Sequence, residues 1–182
     1  MRLEMAQRWF SIGTVLVCAA IARGDMPAVI DAGDPYTYGG HTYYMLQTSS
    51  SWTEAEAAAV TLGGHLVTIN DAEEDAWLFG TFGGNDYALW IGINDVAEEG
   101  TFVWAGGDPV VYTNWAPTEP GAEGSDWDYV NIHKANHVDY PGKWNDWPNG
   151  GIDPCYGIVE IPDPATLSLL ALGGLAALRR RK

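Results

Sequence analysis

Cysteine is nearly absent from this chain of 182 residues, which carries only Cys18 and Cys155. Cys18 falls in an N-terminal apolar run, so Cys155 has no partner for an intramolecular disulfide, and a disulfide-stapled scaffold is excluded. Cys155 reads as a loop thiol, with intermolecular pairing as the alternative. Positive charge is scarce as well. Of nine Lys and Arg, only Lys134 and Lys143 lie between residues 24 and 178, where all 24 Asp and Glu except Glu4 fall. A net charge of −15 repels phosphate backbones and excludes nucleic acid as a partner. Metal cations, cationic matrix material or a salty medium suit such a surface, and solubility alone is the plain alternative. Catalytic constellations are also missing. No Ser-His-Asp or Cys-His set has supporting context, and with so many acids a glycosidase-like carboxylate pair is inevitable rather than informative. The chain does not read as an enzyme. His133 and His137 stand four apart, a zinc spacing on a helix, but Val130-Asn131-Ile132 alternates like a strand.

What is present begins with the two ends. Arg2 and Arg8 precede an apolar run over 10–22, and Ala20-Ile21-Ala22 has the small-x-small form of a secretory cleavage site. Residues 1–22 read as a signal peptide, with a buried N-terminal helix as the alternative. Val17 is too bulky for a lipid-attachment site at Cys18. At the other end Pro162-Asp163-Pro164 precedes an apolar run over 167–178 and then Arg179-Arg180-Arg181-Lys182. As a helix that run spans roughly 18 Å, short of a bilayer core of about 30 Å. This suits a signal that is held in the membrane and then cut off. Residues 162–182 resemble the PEP-CTERM sorting tail of bacteria that build extracellular polysaccharide, with Pro-Asp-Pro in place of Pro-Glu-Pro. The resemblance implies a transient membrane hold and a sorting protease acting near Pro164. A plain C-terminal anchor is the alternative.

The segment between is the size of one domain. Residues 41–47 alternate and are Tyr-rich, which predicts a strand. Ser51-Trp52-Thr53-Glu54 is a capping box opening a helix. Trp52, Ala55, Ala59 and Leu62 give that helix a core-facing stripe, and Gly63-Gly64 ends it. A short strand is expected over 65–69. Asn70 is expected to cap a second helix that packs through Ala76, Trp77 and Phe79. Asp71, Glu73, Glu74 and Asp75 read as partners of that helix's positive N-terminus rather than as ligands. Further strands are expected over 89–93, 101–104, 110–112, 129–133 and 156–160. Residues 115–127 are rich in Pro, Gly and acid, and so long a loop on a compact domain points to function.

Three motifs follow in order: Trp90-Ile91-Gly92-Ile93, Glu119-Pro120 and Trp144-Asn145-Asp146. The last two put side-chain oxygens on separate segments, and hard cations such as calcium take several oxygens at once. This ordered set resembles the C-type lectin-like domain over residues 36–161. The resemblance implies an α+β C-type lectin-like fold with two helices, small antiparallel sheets and a long irregular loop. It implies calcium at Glu119, Asn145 and Asp146, which also meet sugar hydroxyls: a carboxylate accepts from a hydroxyl and an amide donates to it. It further implies a cis Glu119-Pro120 bond. Gly121 and Trp127 stand where the family's sugar-binding members carry two more side-chain donors. The run from Asp95 through Glu99 to Gly100 resembles the family's D-x-x-x-E-G turn. With Asp128 and the Trp127 carbonyl it implies an accessory calcium site of Asp95, Glu99 and Asp128. The remaining acid of that site falls on Ala122, beside Glu123. Ala59, Tyr129 and Val159 occupy three of the family's four disulfide positions, so packing must replace those bonds.

The function expected from these readings is an exported carbohydrate-binding module that recognises extracellular or matrix polysaccharide with the help of calcium. Its expected place is secreted, at the cell surface or in the matrix. The alternative is a lectin-like fold used as a structural or protein-interaction module without sugar binding.

Overall fold

The computed structural model of the chain describes residues 31–121 and 126–162. The expected signal peptide over 1–22, the tail beyond Pro162, and Ala122 and Glu123 lie outside the described residues. No described helix is long and apolar enough to cross a membrane.

Two helices are set by their caps. Ser51 and Glu54 form the expected capping box at the start of α1 (Trp52–Thr61), with Glu54 N donating to Ser51 Oγ at 3.3 Å and Ser51 N to Glu54 Oε2 at 3.0 Å. The cap of α2 (Ala72–Phe82) is Asp71, not Asn70: Asp71 Oδ1 accepts from Glu74 N at 2.8 Å. Asn70 lies one residue outside, its N–H donating to Glu74 Oε2 at 3.0 Å. The buried face of α2 is Glu74, Asp75, Leu78 and Phe82. Ala76 is exposed, and Trp77 and Phe79 pack half-buried on the rim of the core.

The strands are β1 (Tyr36–Tyr38), β2 (His41–Met45), β3 (His65–Leu66), β4 (Ala88–Asn94), β5 (Val103–Trp104), β6 (Tyr129–Ile132), β7 (Trp144–Trp147) and β8 (Cys155–Pro162). They join in the order β1-β2-β8-β4-β6-β7, with β3 on β8 and β5 on β4. All pairings are antiparallel except β4–β8, which makes the sheet mixed. β3 ends at Leu66, though Val67 N still donates to Ile158 O at 2.8 Å, and the ladder is left at Thr68, whose N–H donates to the Glu160 carboxylate at 2.9 Å. Residues 110–112 form no strand: Val111 is exposed and the Tyr112 hydroxyl reaches back to Asp75. β1 and β7 were not among the strands expected from periodicity, being three and four residues long.

Two apolar clusters hold the sheet. One gathers Leu78, Ile91, Ile93, Trp104 and Trp144, and the other Trp52, Ala55, Ala59, Trp90, Trp147 and Val159. Each large side chain so buried contributes roughly 1.5–3 kcal/mol. Ala59, Val159 and half-buried Tyr129 all belong to the second cluster, so packing does fill the places expected to lack cystines. Cys155 is not a loop thiol. It opens β8, and burial pushes its thiol up to about 12. That burial argues against intermolecular pairing.

Candidate functional site

The site grows from two segments that the sheet brings together. β7 is short and buried along its whole length, and its ladder with β6 pairs Asn131 with Asn145 and Val130 with Asp146. Its first residue, Trp144, is pinned from α2: Trp144 Nε1 donates to Asp75 Oδ1 at 2.9 Å. Asn114 and the Tyr112 hydroxyl donate to the other Asp75 oxygen. Burial pushes the Asp75 carboxyl up, and these three donors pull it back. Asp75 is therefore more than a dipole partner, since it ties the base of the long loop to the core. This anchor was missed in the sequence. The signal was the spacing of Asp75, Leu78 and Phe82, which puts the carboxylate on the buried face of the helix.

The loop returns to β7 through Trp115, which bridges Trp144, and Ala116 N, which donates to Trp144 O at 2.9 Å. Thr118 then takes φ 78°, a conformation costly for a β-branched residue, and the Glu119-Pro120 bond is cis as expected. Glu119 meets Asn145, whose amide nitrogen donates to Glu119 Oε1 at 2.9 Å and Oε2 at 3.2 Å while its oxygen accepts from Trp147 Nε1. Gly121 N donates to Asp146 Oδ1 at 3.2 Å. Glu119, Asn145 and Asp146 thus come together around Gly121. A Cβ at Gly121 would stand 3.3 Å from Glu119 Oε2 and 3.8 and 3.9 Å from the two Asp146 oxygens. The glycine occupies the spot from which a further donor would point between the carboxylates.

The second acidic set sits beside it. Asp95 N donates to Asp128 O at 3.1 Å, and Asp95 Oδ2 accepts from Gly100 N at 2.7 Å. Asp95 is 2% exposed, and its Oδ1 has no hydrogen-bond partner among the described residues. Burial, followed by the charges of Asp128 and Asp146, pushes the Asp95 carboxyl up. Glu99 is pushed the same way by desolvation and by Asp95, Asp128 and Asp146. Asp95, Glu99, Asp128 and Asp146 therefore share one negative field. Among the described residues no three His, Cys, Asp or Glu side chains already stand in metal-holding geometry. The donor chemistry nevertheless fits a hard cation: an orphaned buried carboxylate oxygen, several oxygens in mutual repulsion, and no amine among them. Of the two described lysines, Lys134 pairs with Asp153 at 2.6 Å and Lys143 donates to Asn114.

Trp127 supplies no side-chain oxygen for a cation. Its indole packs against the cluster of Trp90 and Trp147. His133 and His137 stack at 4.0 Å between centroids, next to Trp147. Burial and the neighbouring His137 hold His133 down at about 4.

The family profile of the Lectin C-type domain matches residues 48–156. Over 124 residues the chain is 36% identical to the alpha-N-acetylgalactosamine-specific lectin of Patiria pectinifera, covering 60% of this chain and 68% of that lectin. Over 104 residues it is 38% identical to the low affinity immunoglobulin epsilon Fc receptor of Mus musculus, covering 57% of this chain but 29% of the receptor's length. Among solved structures, the cow CD23 carbohydrate-recognition domain, crystallised with a GlcNAc2Man3 oligosaccharide, superposes with a TM-score of 0.61 at 29% identity, covering 69% of this chain and 91% of that one. A calcium-independent type II antifreeze protein superposes with a TM-score of 0.61 at 27% identity, covering 70% of this chain and 91% of that one. The chain belongs to the C-type lectin domain family, and its α+β architecture is the fold of that family.

Proposed function

We propose that this chain is a carbohydrate-binding module, not an enzyme, that recognises extracellular or matrix polysaccharide with calcium assisting at Glu119, Asn145 and Asp146. The observation that carries the reading is the meeting of these three side chains around Gly121. A calcium ion there would be held by the Glu119 and Asp146 carboxylates, with the Asn145 amide turning over to bring its oxygen from Trp147 Nε1 to the ion, and would supply an electrophilic centre for sugar hydroxyls. The residues themselves offer a carboxylate acceptor and an amide donor side by side, the pairing a hydroxyl needs. A second calcium at Asp95, Glu99 and Asp128 would neutralise the field described above and steady the acidic turn. The sugar-specific lectin among the relatives supports the glycan partner.

Export, surface or matrix location and processing near Pro164 belong to the same proposal and rest on the two flanked apolar segments. Intact mass of native material should show loss near Ala22 and near Pro164. Arg179 to Lys182 still attached would mean a plain anchor instead.

One observation favours a second reading, a protein-contact module that needs no calcium: an antifreeze protein named as calcium-independent shares the fold. Glycan-array binding of the full chain with and without chelator separates the two. Polysaccharide binding that chelator abolishes supports the first reading. Binding to a protein partner, indifferent to chelator, replaces it with the second.

A further inference from the structure

A cavity of about 400 Å³ opens where the start of the described chain crosses the end of α2, and it shares no residue with the Glu119 site. Its volume lies within the range of small-molecule sites. Its lining includes Asp31, Asp34, Tyr36, Gln47, Phe82 and Tyr87. Asp31 and Asp34 lie outside both the matched span of 48–156 and the resemblance over 36–161, so the two carboxylates are not part of the family pattern. Its walls are held in place. Gln47 N donates to Asp31 O at 2.9 Å, and Gly33 N donates to Met45 O at 3.0 Å. The Tyr36 ring meets Phe82 edge to face at 5.2 Å, and the Tyr87 hydroxyl donates to Phe82 O at 3.0 Å.

The chemistry of the lining selects its guest. Aromatic faces and an amide suit the C–H faces and hydroxyls of a sugar ring. Among the described lining residues the charge is wholly negative. Asp31 and Asp34 stand there with the C-terminal end of α2, the negative pole of its dipole, whose last turn carries no basic residue. Both described lysines are engaged elsewhere, with Asp153 and Asn114. A cation presented beside aromatic faces gains from both. We infer that this cavity is a second saccharide site, for an amino sugar whose nitrogen is a free ammonium rather than an acetamide. The inference rests on the glycan reading for the class of partner but not on calcium.

The test is calorimetric titration of the full chain, in chelator, with a β-1,4-linked glucosamine tetrasaccharide and with its fully N-acetylated counterpart. The free-amine oligomer should bind, and the acetylated one should bind at least tenfold more weakly. Asp31→Asn with Asp34→Asn should weaken binding about tenfold. Glu73→Gln with Asp139→Asn removes the same charge from exposed positions elsewhere and should leave affinity unchanged. Tyr36→Ala should weaken binding with no change of charge. Equal losses in the two charge-matched pairs would show non-specific attraction of a cation to an acidic protein and overturn the site. Equal binding of the acetylated oligomer, or no binding in chelator, would overturn it as well. Sugar binding that appears only with calcium would leave the Glu119 reading standing and this one refuted.

Discussion

Gly121 is the position at which the proposed sugar site can be strengthened on purpose. Its Cβ direction points between Glu119 and Asp146, at 3.3 Å from Glu119 Oε2 and 3.8 and 3.9 Å from the Asp146 oxygens. Its φ lies outside the left-handed region, so asparagine brings no backbone strain. The tight contact is with the far end of a flexible carboxylate, which gives way at small cost. Gly121→Asn therefore adds one oxygen donor for a cation and one amide donor for a sugar hydroxyl. A hydrogen bond tied to a charged centre contributes roughly 1.5–3 kcal/mol, which is about ten- to a hundredfold in affinity. The other missing donor is a poorer target, because the Trp127 indole packs against the Trp90 and Trp147 cluster and Trp127→Glu would open that packing. The assay is calcium-dependent retention on a mannose resin, with circular dichroism as a control for folding. A folded Gly121→Asn protein that is retained no better than wild type would refute the placement of a sugar site in this loop.

Other consequences reach the acidic turn, the loop anchor and the histidine stack. Calcium at about a hundred times its dissociation constant should add about 2.7 kcal/mol, a rise of about 10 °C in melting temperature. Asp95→Asn should remove most of that rise while stabilising the protein in chelator, because it relieves an orphaned, repelled carboxylate. A destabilised variant with an intact calcium response would count against this. Asp75→Ala leaves Trp144 Nε1, Asn114 and the Tyr112 hydroxyl short of an acceptor and should cost about 3 kcal/mol in urea unfolding. A loss below about 0.5 kcal/mol would deny Asp75 its anchoring part. His133 is held down at about 4 against an ordinary 6.5, so the unfolded chain takes the proton first as pH falls. Its contribution is intact above about pH 6.5 and is lost between there and about pH 4. His133→Phe should flatten that slope when unfolding is measured in chelator at neutral pH and at pH 5, and an unchanged slope would assign it to other groups.

The parts of the fold that could be read in advance carry strong local chemistry. The capping box at Ser51, the stripe of Trp52, Ala55 and Ala59, and the apolar β4 run each follow from a pattern that tertiary contacts reinforce. Where the reading slipped, a side chain competed with the backbone. Asp71 rather than Asn70 caps α2, its carboxylate accepting from Glu74 N while the Glu74 carboxylate accepts in turn from the Asn70 N–H. Thr68 gives its N–H to Glu160 and so leaves the ladder of β3. Val110 and Val111 are β-branched but find no partner strand, and both are exposed. The candidate site was legible as motifs. Its geometry was not, because Asp75 reaches Trp144 across 69 positions and Asn145 reaches Glu119 across the long loop. No periodicity encodes contacts of that span.

Under the proposed function this loop binds calcium and, through it, a sugar. Calorimetric titration of the full chain with calcium, followed by a second titration with matrix polysaccharide, tests it most directly. Calcium should bind saturably, Asp146→Ala should abolish that binding at the Glu119 site, and polysaccharide should bind only after calcium has been added. Absence of heat in millimolar calcium, or polysaccharide binding of equal strength in chelator by a protein lacking Glu119 and Asp146, would contradict it.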